Sequence, residues 1–268
     1  MAWKRHEGRM RIASWNVNSL KVRLPQVLTW LETQKPDVLA LQETKLVDAA
    51  FPQEAFAQAG YQSVFSGQKT YNGVALLARQ PMTEILTDPP DWVDPQRRIL
   101  AATLGNLRII NLYVVNGESP ESEKYAYKLD WLRRVTAWIG QEIRRYPHLV
   151  VLGDFNIAPE DRDVYDPDAW EGKILCTSQE REALQHLLAL GMQDSFRGFD
   201  QAPEQYSWFD YRAAAFRRNH GLRIDLILAS TALMQQCTYS GVDRTPRGWE
   251  RPSDHAPVFA DFNLVPPG

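Results

Sequence analysis

The chain has 268 residues, of which 44% are hydrophobic and 24% charged, and its formal net charge is -3. These proportions suit a folded protein with one sizeable core and exclude a disordered chain. The slight acidic balance excludes coating of nucleic acid by bulk charge, and no apolar run is long enough to span a bilayer.

The opening stretch, MAWKRHEGRM, is polar and basic with no apolar segment of the signal-peptide kind behind it. A strand-like run begins at Met10, so residues 1–9 read as a flexible extension and residues 10–268 as one domain. After the strand RIASW, Leu24, Val27, Leu28 and Leu31 recur at helical spacing. DVLAL and GVALLA follow as strands, and TDPPDWVDPQ reads as a surface loop. RILAATL and LRIINLYVV are joined by Gly105-Asn106, a hairpin turn, so antiparallel pairing is present.

A second helical stripe, Leu132, Val135, Ile139 and Ile143, precedes the strand HLVVLG. Thr177 and Glu180 have capping-box spacing ahead of Leu184, Leu187 and Leu188, and Gly191 marks the end of that helix. RIDLILA and APVFADF are the last strands. Helix-separated strands and hairpins together predict two mixed sheets packed face to face with helices outside. Cys176 and Cys237 have no metal-ligand spacing and suit a reducing compartment, with cytoplasm the default.

Several apolar strands end in polar residues. Asn16 and Asn18 follow the first, Gln42 and Glu43 the second, Tyr113 and Asn116 belong to the run INLYVVN, and Asp154 and Asn156 to the run VVLGDFN. Asp225 is embedded among Ile224, Leu226, Ile227 and Leu228, so its carboxylate needs a buried partner, for which an imidazole is suited. Asp254 and His255 stand just before the last strand. Singly, each residue suits a turn, a cap or a surface ion pair. Together, carboxylates and carboxamides without cysteine favour a hard cation such as Mg²⁺ over zinc, and suit metal-assisted phosphoester hydrolysis. The arginines at 97 and 98, at 212, 217, 218 and 223, and at 244, 247 and 251 suit solvated faces or local phosphate-binding patches.

The segments WNVNSL, LQETK, GQK with GVALL, QRRI, GDFNIAP, YSWFDYR, GLRIDLILAS and SDHAPV, in that order from Met10 to Phe262, resemble the exonuclease III family of abasic-site endonucleases. That family lies within the DNase I-like endonuclease/exonuclease/phosphatase superfamily. The resemblance implies a four-layer α/β sandwich, two packed mixed β-sheets flanked by helices. It implies hydrolysis of the phosphodiester 5′ to an abasic site in double-stranded DNA, leaving a 3′-hydroxyl, with 3′-phosphatase or 3′-to-5′ exonuclease side activities. Mg²⁺ is the implied cofactor, with Mn²⁺ as substitute. The implied partner is duplex DNA carrying abasic or 3′-blocked sites, bound by a monomer with no membrane association.

Carried over by resemblance, Glu43 is the principal metal ligand, supported by Asn16 and Asp254, with Asp154, Asn156 and His255 also in reach of metal. Asp154 activates or orients the attacking water, and Asn156 holds a phosphate oxygen or a second metal. His255 binds the scissile phosphate, with Asp225 setting its tautomer and favouring its protonated form. Tyr113 serves the phosphate or the leaving oxygen. An abasic sugar turns out of the duplex cheaply because no base is unstacked. Trp208, Leu222 and Ile224 are expected to line its apolar pocket. Asn18, Lys45, Tyr71, Asn72, Arg97, Arg98, Asn116 and Arg212 are expected on the DNA-binding surface.

One departure stands out: Tyr113-Val114-Val115-Asn116 lacks the proline common in the family at position 115, which frees the local backbone. GDFN and SDH alone also suit other superfamily phosphoesterases, whereas SWFDYR and GLRIDLILAS resemble the exonuclease III branch. An inactive DNA-damage-binding relative would have lost a charged site residue, yet Glu43, Asp154, Asp225, Asp254 and His255 are all present.

Overall fold

A computed structural model of the protein describes residues 8–264, so most of the expected extension at residues 1–9 lies outside the described residues. The chain runs β1 (Met10–Asn16), α1 (Leu20–Gln34), β2 (Val38–Gln42), α2 (Gln53–Gln58), β3 (Gln62–Ser66), β4 (Val74–Ala78), β5 (Thr83–Leu86), β6 (Ile99–Leu104), β7 (Leu107–Tyr113) and α3 (Glu123–Arg145). It continues through β8 (His148–Asp154), α4 (Pro167–Trp170), α5 (Ser178–Leu188), β9 (Met192–Asp194), α6 (Ala215–Arg218), β10 (Asp225–Ser230), α7 (Thr231–Met234), β11 (Cys237–Val242) and β12 (Val258–Phe262).

The strands form two six-stranded sheets, ordered β11-β12-β1-β2-β4-β3 and β5-β6-β7-β8-β10-β9. The pairs β1 with β2 and β7 with β8 are parallel, and each is connected through a helix, α1 or α3, as a parallel crossover requires. The β6–β7 pair is the expected hairpin, with Leu104 opposite Leu107 across Gly105-Asn106.

Alternation along the strands builds three apolar layers. Met10, Ile12, Val38, Ala40, Leu107, Ile109, Val150, Leu152 and Ile227 meet between the sheets. On the outside of the first sheet, Trp15, Leu39 and Leu41 pack with Val27, Trp30 and Leu31 of α1. On the outside of the second, Ile110, Leu149 and Val151 pack with Trp131, Leu132, Val135 and Ile139 of α3 and with Leu184 and Leu187 of α5. Burying each such side chain stabilises the fold by roughly 1.5–3 kcal/mol. The result is helix, sheet, sheet, helix in four layers.

Thr177 and Glu180 form the reciprocal capping box at the start of α5. That helix stops at Leu188, before the expected Gly191, whose φ of +100° makes the turn into β9. The loop at residues 87–96 is anchored, since buried Asp94 accepts from Trp131 Nε1 at 2.5 Å and Tyr127 OH at 2.9 Å. Strands β3, β5, β9 and β11 were not anticipated. Each lies at a sheet edge, where β5 is largely exposed and β3 largely half-buried, so neither carries a continuous apolar run.

Candidate active site

The same alternation builds the site. Side chains two residues apart on a strand share a face, so those facing the inter-sheet core continue to face it until the strand ends. Following Met10 and Ile12 on β1 come Ser14 and Asn16, and following Val38 and Ala40 on β2 comes Gln42. Following Leu107 and Ile109 on β7 come Asn111 and Tyr113, following Val150 and Leu152 on β8 comes Asp154, and Asp225 opens the face that Ile227 and Ala229 continue. At one end of the sandwich, the inward face therefore turns polar on five strands together. Register completes the convergence, because Tyr113 stands opposite Asp154 on one side and Asp225 stands opposite Asp154 on the other.

Asn16 is fully buried, and its Nδ2 donates to Glu43 Oε2 at 2.7 Å and to Asp154 Oδ2 at 2.8 Å, drawing the two carboxylates together across the sheets. Asp225 Oδ2 lies 2.8 Å from His255 Nδ1, and His255 Nε2 lies 3.6 Å from Asp154 Oδ2. Trp15 Nε1 donates to the His255 carbonyl at 3.1 Å, and Ser253 Oγ donates to the Asn16 carbonyl at 2.6 Å. These bonds tie the last loop to the first strand. Asn156 N donates to Asp154 Oδ1 at 2.9 Å, with Asn156 itself at a φ of +48°.

Gly153 has no substitute beside Asp154. Its φ is +145°, and a Cβ there would sit 1.9 Å from the Leu112 carbonyl oxygen. Glu43 and Lys45 also adopt positive φ, at +50° and +55°, a backbone state that non-glycine residues adopt at a cost and that clusters at functional sites.

Burial pushes the Asp154 carboxyl up to about 7, with Asp225 and Glu43 adding to the rise and His255 and Asn16 opposing it. Burial also works against a charged His255, but Asp225 and Asp154 outweigh it and hold the imidazole well above its ordinary value. Desolvation, with Glu43 and Asp154 nearby, pushes the Tyr113 hydroxyl well above its usual range, so it stays a proton-bearing donor.

Among the described residues, Glu43, Asp154 and His255 place one potential ligand atom each within 4.8 Å of one another. Two carboxylates at this spacing suit a hard divalent cation. His255 suits it less well, since an imidazolium has no lone pair to offer. Two expected ligands are otherwise engaged. The Asn16 oxygen accepts from Asn18 N at 3.0 Å while its amino group faces the carboxylates, and the two oxygens of Asp254 accept from Asn18 Nδ2 at 3.2 Å and Trp208 Nε1 at 3.0 Å. Asn16 and Asp254 thus orient neighbours as the protein stands. Asn156 donates through Nδ2 to the Val114 carbonyl at 2.9 Å, and its Oδ1 has only a long contact, 3.4 Å, from Asn116.

Trp208 reaches the site through its backbone, bridging to both Leu222 and His255. Leu222 and Ile224, expected to line a small apolar pocket with Trp208, are each 1% exposed and pack with Ala158, Val164, Leu175 and Cys176, and Trp208 packs against the same cluster. Around the rim, Lys45 Nζ donates to Asn18 Oδ1 at 2.7 Å and lies 3.7 Å from Glu43. Tyr71, Asn72, Tyr113, Asn116 and Lys124 share a cleft of about 710 Å³. Arg98, expected at the DNA surface, lines the same cleft although it is only 8% exposed: its guanidinium covers the Tyr113 ring at 4.7 Å and donates to the Tyr113 carbonyl at 3.2 Å. Arg97 is exposed, and Arg212 projects outward in an ion pair with Asp210.

Sequence reasoning missed Lys128, whose buried ammonium donates to the carbonyls of Asn156 and Asn116. The available signal was its place on the apolar stripe of α3, one turn before Trp131 and Leu132. It also missed Asn111, which accepts from Gln42 Nε2 at 2.9 Å and so joins β2 and β7 across the core behind the site.

The endonuclease/exonuclease/phosphatase family pattern matches residues 13–255. Exodeoxyribonuclease III of Haemophilus influenzae is 38% identical over 266 residues, covering 94% of this chain and 100% of its own. The solved structure of the 3′ phosphatase NExo from Neisseria bound to product DNA hairpin is similar at a TM-score of 0.93 and 49% identity, covering 94% of this chain and 99% of that one. A second structure, described as the 3′-5′ exonuclease NExo from Neisseria meningitidis, is similar at 0.92 and 50%, with 94% and 99% covered. An AP endonuclease from Archaeoglobus fulgidus is similar at 0.92 and 36% identity, covering 95% and 100%.

Proposed function

The chain belongs to the endonuclease/exonuclease/phosphatase family, and from that membership we propose a DNA base-excision repair nuclease of the exonuclease III branch. Its reaction is hydrolysis of the phosphodiester 5′ to an abasic site in duplex DNA, leaving a 3′-hydroxyl, with processing of 3′ ends at the same centre. The observation that carries this reading is the meeting of Glu43, Asp154 and His255 within 4.8 Å at the polar end of the sandwich, with Tyr113 and Asp225 in register beside Asp154.

Glu43, with Asp154 beside it, would hold Mg²⁺ or Mn²⁺, which when bound supplies neutralisation of charge on the phosphate. Asp154, raised toward neutrality and not fully committed to its ion pair, takes a proton from the attacking water. His255, held protonated by Asp225, donates to a non-bridging phosphate oxygen as charge develops there. Tyr113, a persistent donor beside Glu43, serves the leaving oxygen. Lys45, Tyr71, Asn72, Asn116, Arg97 and Arg212 contact the phosphate backbone, and Asn18 keeps Lys45 at the rim.

A second reading, in which 3′-end processing is the principal activity, is favoured by one feature. Leu222 and Ile224 pack in one cluster with Leu175, Cys176 and Trp208 and are each 1% exposed, so neither side chain offers an open face to an extruded sugar. The NExo relatives, named as a 3′ phosphatase and a 3′-5′ exonuclease, are in keeping with it.

One experiment separates the readings. Three duplexes, carrying a tetrahydrofuran abasic analogue, a 3′-phosphate at a nick, or no damage, are incubated with Mg²⁺ or with EDTA. Mg²⁺-dependent incision 5′ to the analogue supports the abasic endonuclease. Removal of the 3′-phosphate and shortening of the undamaged strand without that incision support the end-processing enzyme. No cleavage of any duplex by folded protein, with Mn²⁺ also supplied, overturns both.

A further inference from the structure

Lys128 is an unusual occupant of its place. It lies on the face of α3 that carries Trp131, Leu132 and Val135 into the core, and its side chain is 0% exposed. A buried ammonium needs a full set of acceptors, and this one has three. Nζ donates to the Asn156 carbonyl at 2.7 Å, to the Asn116 carbonyl at 3.1 Å, and to Glu180 Oε1. Glu180, also 0% exposed, accepts in turn from Thr177 N at 3.0 Å and Leu175 N at 3.1 Å at the start of α5. The surrounding chain is shaped around the lysine. At Gly117, φ +92°, a Cβ would come within 3.1 Å of Lys128 Cδ and 2.9 Å of Ile174 Cδ1.

The two carbonyls that Lys128 holds belong to residues whose side chains meet at the site, Asn116 Nδ2 and Asn156 Oδ1 being 3.4 Å apart. Asn156 is also one hydrogen bond from the reaction, because its N–H donates to Asp154 Oδ1 at 2.9 Å. The peptide groups on either side of one residue therefore face a buried ammonium and a catalytic carboxylate, with the residue between them at positive φ. Packing alone does not call for a charge here. A buried ion pair is replaced by neutral groups of similar volume with little or no loss of stability when both partners change together.

We propose that Lys128 is a positioning residue for catalysis: its ammonium clamps the Asn116 and Asn156 loops onto α3 and thereby aims Asp154, with Glu180 serving as its counter-ion. The inference rests on the nuclease reading above, and incision by the parent enzyme is established first, so that loss of that reading is seen separately. The test pairs Glu180→Gln, which keeps Lys128 and both carbonyl bonds, with the double variant Lys128→Met/Glu180→Gln, which removes the ammonium without leaving a lone buried charge. Thermal midpoints are recorded alongside kcat and KM on the duplex the parent cleaves best. Glu180→Gln is expected to keep kcat within about threefold of the parent, while the double variant, at a midpoint close to that of Glu180→Gln, loses about 30-fold or more in kcat with KM nearly unchanged, the scale set by a sub-ångström misplacement of a reacting group. Retention of kcat by the folded double variant, or equal loss in both variants, overturns the proposal. Should the double variant fail to fold, Lys128→Gln/Glu180→Gln takes its place under the same two criteria.

Discussion

Replacing Asp225 with Asn tests the electrostatics of the centre with the least change of shape. Asp225 Oδ2 faces His255 Nδ1 at 2.8 Å, and its Oδ1 is buried with no hydrogen-bond partner. A carboxamide therefore fits with its oxygen toward the imidazole and its amino group in the vacant direction. The hydrogen bond persists while the charge is lost. A hydrogen bond to a charged group contributes about 1.5–3 kcal/mol and a neutral one about 0.5–1.5, so loss of the charge alone leaves the imidazolium less populated by roughly 5- to 15-fold wherever it is titrating. Burial, already working against the charged ring, is then opposed, among the charges that raised it, by those of Asp154 and Asp254 alone. The sign follows: His255 is protonated below its titration and loses its proton as pH rises, so the alkaline limb of the rate profile moves to lower pH in the variant. The assay is kcat/KM against pH on the cleaved duplex, with a thermal melt at each pH. The variant should fall roughly 5- to 15-fold below the parent at alkaline pH and approach it on the acid side. A profile of unchanged shape, whether at parental level or uniformly depressed, would refute the argument that Asp225 acts by keeping His255 charged.

Asp154→Asn should lower kcat by roughly 10²–10⁴-fold while DNA affinity stays close to that of the parent, measured by single-turnover cleavage and fluorescence anisotropy; near-normal turnover would remove Asp154 from the role of base. Since the Asp154 carboxyl, raised to about 7 with no metal bound, must be ionised to meet a cation, Mg²⁺ affinity should rise as pH climbs through neutrality, and a flat pH dependence of Mg²⁺ binding would contradict that placement. Trp208→Ala should reduce cleavage at the abasic analogue more than removal of a 3′-phosphate, with Mn²⁺ affinity unchanged; equal losses of both activities and of thermal stability would mark Trp208 as core. Lys45→Ala should weaken DNA binding and reduce the slope of log K against log salt by about 0.9, the value of one phosphate contact, as read by anisotropy across a salt series.

Much of the centre was legible because its residues break a pattern. Asp225 among four apolar neighbours and Asp154 after VVLG are polar where the strand face demands apolar, and His255 beside Asp254 stood ready as partner. The capping box at Thr177 and the Gly105-Asn106 hairpin are local chemistry and so are readable locally. The edge strands were not, because β3 and β5 bury little and leave no run to detect. The functions of Arg98 and Lys128 depend on partners supplied by the fold. One guanidinium is spent on Tyr113, 15 residues away, and one ammonium on Glu180, 52 residues away. Leu222 and Ile224 were assigned by resemblance to a small apolar pocket, and their packing with Leu175 and Cys176 depends on a loop that the local sequence does not bring to them.

The first strand of the chain lies in the middle of its sheet, with β12 as one neighbour, Met10 facing Phe262 and Ser14 facing Val258. That pairing seats His255 against Trp15 and Ser253 against Asn16 across 240 and 237 residues of chain. Contacts of such separation close the longest loops and carry the largest entropic cost of closure. The centre is therefore a property of the whole domain, and a fragment lacking either end of that span leaves His255 and Asn16 without these ties.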